Sequence, residues 1–176
     1  QGWDWDQELA ALPSYLEEKV KAPSVEAGVW DLVIDPTNLW LTIHESIGHA
    51  TELDRALGFE ANYAGTSFAT LEKLGNFKYG SSLVNVTGDR NSEFGLSTVA
   101  WDDEGVGAQQ WDLIKDGVLV GYQTDRSIAA HVGLDRSNGC AFADSALHTP
   151  IQRMPNVSLQ PGAVERSTAD LIAGVE

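Results

Sequence analysis

The chain reads as an α+β protein in which one long helix bearing a HExxxH motif packs on an antiparallel, hairpin-rich β-sheet. Three observations lead there. Residues 36–57 hold Leu39, Ile43, Ile47, Ala50, Leu53 and Leu57 at helical spacing, one apolar stripe along one face. WDLIKDGVLVGY, residues 111–122, puts Asp116-Gly117 between two apolar runs, a strong local sign of a two-residue β-hairpin turn. SLVNVTG (82–88), LSTVAW (96–101) and the segment around NVSLQPG (156–162) have the length and composition of short strands.

The elements follow in order. DQELAALPSYLEEKV (6–20) is rich in helix formers, with Pro13 placed to break or kink it. KAPS (21–24) reads as a linker, so residues 1–25 form a helical extension and 26–176 the main domain. VWDLVIDP (29–36) predicts a strand that ends before its proline. Asp35-Pro36 is a helix start, an acceptor at the N-cap and proline at N1, and Gly58 supplies the stop. DRSIAAHVG (125–133) predicts a short helix ending at glycine, with His131 over its last carbonyls. A loop-rich stretch, RSNGCAFADS, comes next. STADLIAGVE opens with a capping-box-like pattern and enters a helix that the end of the chain cuts off.

Composition narrows the function classes. With 176 residues, 43% hydrophobic content and six tryptophans, the chain can bury a real core. Eleven Lys and Arg against 26 Asp and Glu give a net charge of −15, which argues against a nucleic-acid surface. The tryptophans do not alternate with basic residues, so core packing is expected of them rather than base stacking. No apolar run approaches the roughly 18 residues needed to span a bilayer, so no membrane partner is expected. A single cysteine, Cys140, permits no internal disulfide and points to a reducing compartment, the cytoplasm. In its Gly-Cys-Ala context Cys140 reads as a small buried residue rather than a nucleophile.

HESIGH, residues 44–49, is the segment with chemistry in it. Neutral imidazoles can hold Zn²⁺ while leaving a position for water, whose pKa the ion lowers toward about 7. A carboxylate beside that water can take its proton, the role open to Glu45. On a helix His44, Glu45, His49 and Glu52 share the face opposite the apolar stripe. The spacing is the difficulty. Histidines at i and i+4 stand about 40° apart, but at i and i+5 they stand about 140° apart on an ideal α-helix. On spacing alone a half-exposed polar helix face is the better reading of them than a metal site. A shared ion requires local irregularity, and a π-bulge would supply it, with Gly48 removing a Cβ where the backbone is strained. Glu52 is then a further ligand, a partner orienting a histidine, or a surface charge.

Other carboxylates and bases remain open. Asp102, Asp103 and Glu104 could bind a hard cation or form a turn that orients loops near the cleft. Arg153 is expected to pair with a buried carboxylate.

HESIGHATELD, GTSFA from Gly65, WDDEGVGAQQWDLIKDGVLVGYQTDR and HTPIQRMPN, in this order over residues 29–160, together resemble the TldD/PmbA family of metallopeptidases, also named modulators of DNA gyrase. The resemblance implies that His44 and His49 bind zinc, that Glu45 is the catalytic base, and that the chain is of the TldD, catalytic type. It marks Glu52, Asp102, Asp103, Glu104, His148 and Arg153 as second-layer or substrate-facing. It implies peptide substrates, extended or unfolded, and a homodimer or a heterodimer with a family paralogue. The family's third ligand is a cysteine well beyond the RMxN segment. Cys140 precedes RMPN, so the third ligand is expected outside this chain, which reads as a fragment of a longer protein that is inactive alone. The rival from another class is a non-catalytic interaction module, a gyrase modulator or assembly subunit with a vestigial motif.

Overall fold

The structure is a computed structural model that describes residues 4–175. Residues 1–3 of the N-terminal extension, Trp3 among them, and Glu176 lie outside the described residues. The chain divides into two units, residues 1–32 with 175–176, and residues 33–174.

The first unit holds α1 (Trp5–Lys21), started by Asp4, whose carboxylate accepts from the amide of Gln7. Of the break or kink expected at Pro13, the break does not occur: the helix runs through as one element. The carbonyl that proline leaves unbonded belongs to Leu9, on an exposed turn where water can serve it. Leu9, Leu12, Tyr15, Leu16 and Val20 are all exposed.

The predicted strand at 29–36 does not form. The segment has no ladder partner, and Val29, Trp30 and Leu32 stand exposed. β-branched and aromatic residues favour a strand only where another strand or a core receives them.

The second unit is α+β. α2 (Pro36–Ile43) starts at Asp35, which accepts from the Thr37 amide at 2.9 Å, with proline in the first turn. A π-helical turn (His44–Gly48) and a 3₁₀ turn (His49–Thr51) continue it. The helix was expected to reach residue 57. Instead Glu52 is extended, with φ −71° and ψ 114°, before the short α3 (Leu53–Ala56). Gln123 causes the break: its amide bonds the Thr51 carbonyl at 2.8 Å and its carbonyl takes the Leu53 amide at 3.2 Å. Gly58, at φ +83°, closes the segment as expected.

A four-stranded antiparallel sheet carries the rest, in the order β3-β2-β1-β6. β1 (Val86–Asp89) is central, β2 (Gln110–Lys115) and β3 (Val118–Leu119) form the predicted hairpin, and β6 (Asn156–Leu159) is an edge. The hairpin turn puts Asp116 at φ 48° and Gly117 at φ 77°, the left-handed pair that Asp-Gly favours. A two-stranded sheet pairs β4 (Ala141–Phe142) with β5 (Ile151–Gln152). Residues 96–101, expected as a strand, are turns with isolated cross-links, Val99 to Arg90 and Trp101 to Gly107. Phe94, at φ 60°, and Gly95 reverse the chain just before them. α4 (Arg126–His131) is capped by Asp125. α5 (Thr168–Ala173) has the full capping box of Ser167 and Asp170, and ends at Gly174 rather than being cut off.

Two clusters form the core. Ala50 and Leu53 pack with Ala69, Leu119, Tyr122 and Ile128. Val86, Leu113 and Ile114 take Ile47 from the π turn. The apolar stripe therefore divides: its C-terminal half enters the cores, while Leu39 and Ile43 are left on a cleft wall. Among the described residues no helix is long and apolar enough to cross a membrane.

Candidate metal centre

The irregularity that a shared ion would require is present. The His49 amide reaches back five residues to the His44 carbonyl, the bond that defines a π turn. The two imidazoles meet edge to face, with centroids 4.5 Å apart and planes at 87°. One ligand atom each from His44, Glu45 and His49 lies within 4.8 Å of the others. Among the described residues, no other group of three or more His, Cys, Asp or Glu side chains is placed to share an ion.

A π turn displaces carbonyls from their amides, and buried carbonyls need partners. Four side chains supply them here. Tyr79 Oη donates to the Ser46 carbonyl, Thr51 Oγ1 to Ile47 at 2.8 Å, Gln123 Nε2 to Gly48, and Ser67 Oγ to Ala50 at 2.6 Å. Burial pushes the Tyr79 phenol above its ordinary pKa, so it stays a donor. Gly48 has φ −54°, an ordinary helical value, so backbone strain is not its role. Its role is close approach: a Cβ there would lie 2.5 Å from Met154 Sδ and Cε.

The break at Glu52 turns its side chain back to His49. Glu52, 2% exposed, accepts from His49 Nδ1 at 2.8 Å and from Arg55 Nε at 2.6 Å. A carboxylate only accepts, so Nδ1 is the donor, and in a neutral imidazole that leaves the lone pair for a ligand on Nε2. Of the three roles open to Glu52, the geometry fits the orienting one.

The remaining predicted residues divide by place. Asp102 Oδ1 accepts the amides of Glu104 and Val106, and Oδ2 that of Ala141. Asp103 accepts the Ala143 amide at 2.7 Å, and Glu104 the Arg126 amide at 2.8 Å. Backbone amides thus occupy these carboxylates, tying β4 and α4 to the 102–107 turn, and the hard-cation alternative has no grouped oxygens to support it. His148 is exposed and paired with Asp144 at 2.6 Å. Arg153 does not join a carboxylate as expected. Its guanidinium lies over the Tyr63 ring, 5.9 Å from the centroid, and none of the ion pairs among the described residues includes it. Cys140 is fully buried, and burial raises its thiol pKa to about 12.

The histidines open on a cleft of about 1180 Å³ whose wall is mostly apolar, with Trp40, Leu96, Val99 and Met154 in it, and β6 along one side. Arg153 lines it too, as does Arg90, which no sequence signal singled out. Asn156 fixes this wall, accepting from the Ser97 amide and donating to Asp89 and Thr98. Asp54, buried behind the helix break, takes a hydrogen bond from Gln152 Nε2 at 3.0 Å. Burial is the main cause that raises its pKa to about 7, and the nearby charge of Glu52 adds to it.

The family model described as the PmbA/TldA metallopeptidase C-terminal domain matches residues 27–176. A zinc metalloprotease TldD homolog of Saccharolobus solfataricus is 29% identical over 99% of this chain and 37% of its own length. A metalloprotease of Methanothermobacter thermautotrophicus is 35% identical over 81% of this chain and 29% of its own. Among solved structures, a candidate modulator of DNA gyrase from Bacteroides thetaiotaomicron superposes with a TM-score of 0.64 at 23% identity, over 96% of this chain and 33% of that one. TldE from Thermococcus kodakarensis gives 0.59 at 23% identity, over 76% and 28%. These two show the fold. The chain spans about a third of the length of the curated relatives it matches.

Proposed function

The chain belongs to the PmbA/TldD family of metallopeptidases, and from that premise we propose that HESIGH is the zinc-binding, peptide-hydrolysing centre of a TldD-type enzyme. The observation that carries this is the π turn, which brings two histidines at i and i+5 onto one small volume with Glu45. Two imidazole nitrogens with a carboxylate beside them fit zinc, the histidines as ligands and the carboxylate as a base for the water.

In this reading His44 and His49 hold the ion, which supplies a Lewis acid and lowers the pKa of a water to about 7. Glu45, exposed beside them, takes the proton of the attacking water and passes it to the leaving amine. Glu52, by taking the Nδ1 hydrogen of His49, would fix that ring and leave Nε2 as the nitrogen available to an ion. A third protein ligand comes from sequence that the longer relatives carry outside the matched third. Cys140 cannot serve, because its thiol is buried and held protonated.

The substrates are extended or unfolded peptides and peptide precursors. The edge position of β6 along the cleft supports this, since an edge strand leaves backbone groups free for a peptide to pair with. Dimerisation, with itself or a family paralogue, belongs to the same reading, and the exposed apolar run at Val29, Trp30 and Leu32 is a surface suited to it.

The test uses the full-length protein. One equivalent of zinc is expected, lost in His44→Ala. Glu45→Gln should retain zinc and stop cleavage of an unfolded peptide. Cleavage that survives Glu45→Gln removes Glu45 as the base, and a protein without zinc or cleavage is better read as a non-catalytic module of the gyrase-modulator kind.

A further inference from the structure

Arg90 directly follows β1 and is 4% exposed. Its backbone is fully engaged, with the amide on Gln109 at 2.9 Å and the carbonyl on Val99 at 3.2 Å. Its side chain is not. Nε is buried without a hydrogen-bond partner, and none of the ion pairs among the described residues includes the guanidinium. An unpaired buried cation is costly, and here it lines the cleft that holds the histidines.

Arg153 lines the same cleft and is also without a carboxylate. Both arginines neighbour Cys140: the charge of Arg90 acts on its thiol, and the backbone amide of Arg153 donates to its carbonyl at 2.7 Å. Nearby acids are committed elsewhere, in whole or in part. Glu52 gives Oε2 to both Arg55 and His49 and keeps Oε1 buried without a partner, but it forms no ion pair with Arg90, and both oxygens of Asp102 accept backbone amides. In a chain with eleven basic residues against 26 acidic ones, two unmatched guanidiniums in one cleft reverse the prevailing sign.

We propose that Arg90, together with Arg153, forms a carboxylate subsite in the cleft, taking either the C-terminal carboxylate of a bound peptide or an Asp or Glu side chain within it. The inference rests on the peptidase reading of the same cleft. A guanidinium presents a planar fork that matches a carboxylate through two parallel bonds. The Arg153 guanidinium sits over the face of Tyr63, 5.9 Å from the centroid, a contact that leaves its N–H groups free to donate. A mostly apolar wall lowers the local dielectric and strengthens such a pair.

The experiment is calorimetric binding to full-length protein carrying Glu45→Gln, so that peptides bind without being cut. The probes are an alanine-leucine hexapeptide with a free C-terminus, its C-terminal amide, and amidated forms with one internal glutamate or glutamine. The free-acid or the glutamate peptide should bind about tenfold tighter than its neutral counterpart, and which of them does so identifies the carboxylate. Adding Arg90→Gln should bring each pair within about twofold, and Arg90→Lys should keep part of the preference. Equal affinities for charged and neutral peptides with Arg90 intact overturn the subsite without any arginine variant having to fold. So does a preference that persists in both Arg90→Gln and Arg153→Gln. If none of the peptides binds, the peptidase reading fails and the subsite fails with it. If peptides bind without a carboxylate preference, only the subsite fails.

Discussion

Gln123→Leu should weaken the protein and its metal centre together. Gln123 is fully buried, and Nε2 donates to the Gly48 carbonyl and, at 2.8 Å, to Thr51 Oγ1. Its backbone bonds to Thr51 and Leu53 do not depend on the side chain, so the perturbation stays local. Leucine leaves the Gly48 carbonyl with only a 3.3 Å contact from Thr51. An orphaned buried acceptor costs about 1–3 kcal/mol, and losing the second bond about 1 more. Against this, leucine removes Gln123 Oε1, which is itself buried without a partner. The net loss is about 2 kcal/mol, or a fall of about 4–8 °C in Tm for a chain of this size. Because the lost bonds hold the turn that carries His49, zinc affinity of the full-length protein should fall about tenfold as well. Thermal melts and a competitive zinc titration check both. A leucine variant that melts within about 1 °C of the parent refutes the accounting for the buried carbonyl. One that loses stability but keeps its zinc affinity shows that the π turn does not depend on Gln123.

Glu52→Gln removes the charged acceptor on His49 Nδ1 and the partner of Arg55, and zinc affinity should drop about 10–100-fold; an unchanged titration would sink the orienting role. Asp54 has its pKa raised from 3.8 to about 7 in the fold, so the folded state favours its protonated form and stability is lost as pH rises through about 4 to 7. The shift sets a ceiling of about 4 kcal/mol, and solvent screening reduces the expected effect to about 1–2. Asp54→Asn should therefore be the more stable protein at pH 8, with the gap closing by about pH 4; chemical denaturation at the two pH values decides it. Gly48→Ala places a Cβ 2.5 Å from the end of the Met154 side chain, and because methionine can move, the cost should be about 1 kcal/mol. Met154→Ala in the same protein should abolish that cost in a double-mutant cycle, and strict additivity would refute the contact.

What could be read from sequence was what neighbouring residues decide among themselves. Asp116-Gly117 makes its turn because both residues accept positive φ, and Asp35, Asp125 and Ser167 cap helices through bonds of two or three residues' reach. The need for irregularity within HESIGH also followed from local geometry, since the spacing of the histidines cannot serve one ion on an α-helix. The features set by distant parts of the chain were not legible. Glu52 leaves the helix because Gln123 claims the backbone on both sides of it. Residues 29–35 have strand composition, but pairing needs a partner that no local pattern reveals. Arg90 looked like any other cation, because a lack of partners becomes visible only after everything around it has folded.

The π turn makes the length of the motif a collective property. Deleting one residue between His44 and His49 would restore the four-residue spacing that an α-helix can use, but it would also rotate every following residue by about 100°. Tyr79, Thr51, Gln123 and Ser67 would then aim at carbonyls that are no longer there. Shortening or lengthening HESIGH therefore cannot be accepted as a single event. It has to arrive with changes at sites up to 75 residues away in the chain, which isolates this motif from its five-residue counterpart even though both could present two imidazoles to one ion.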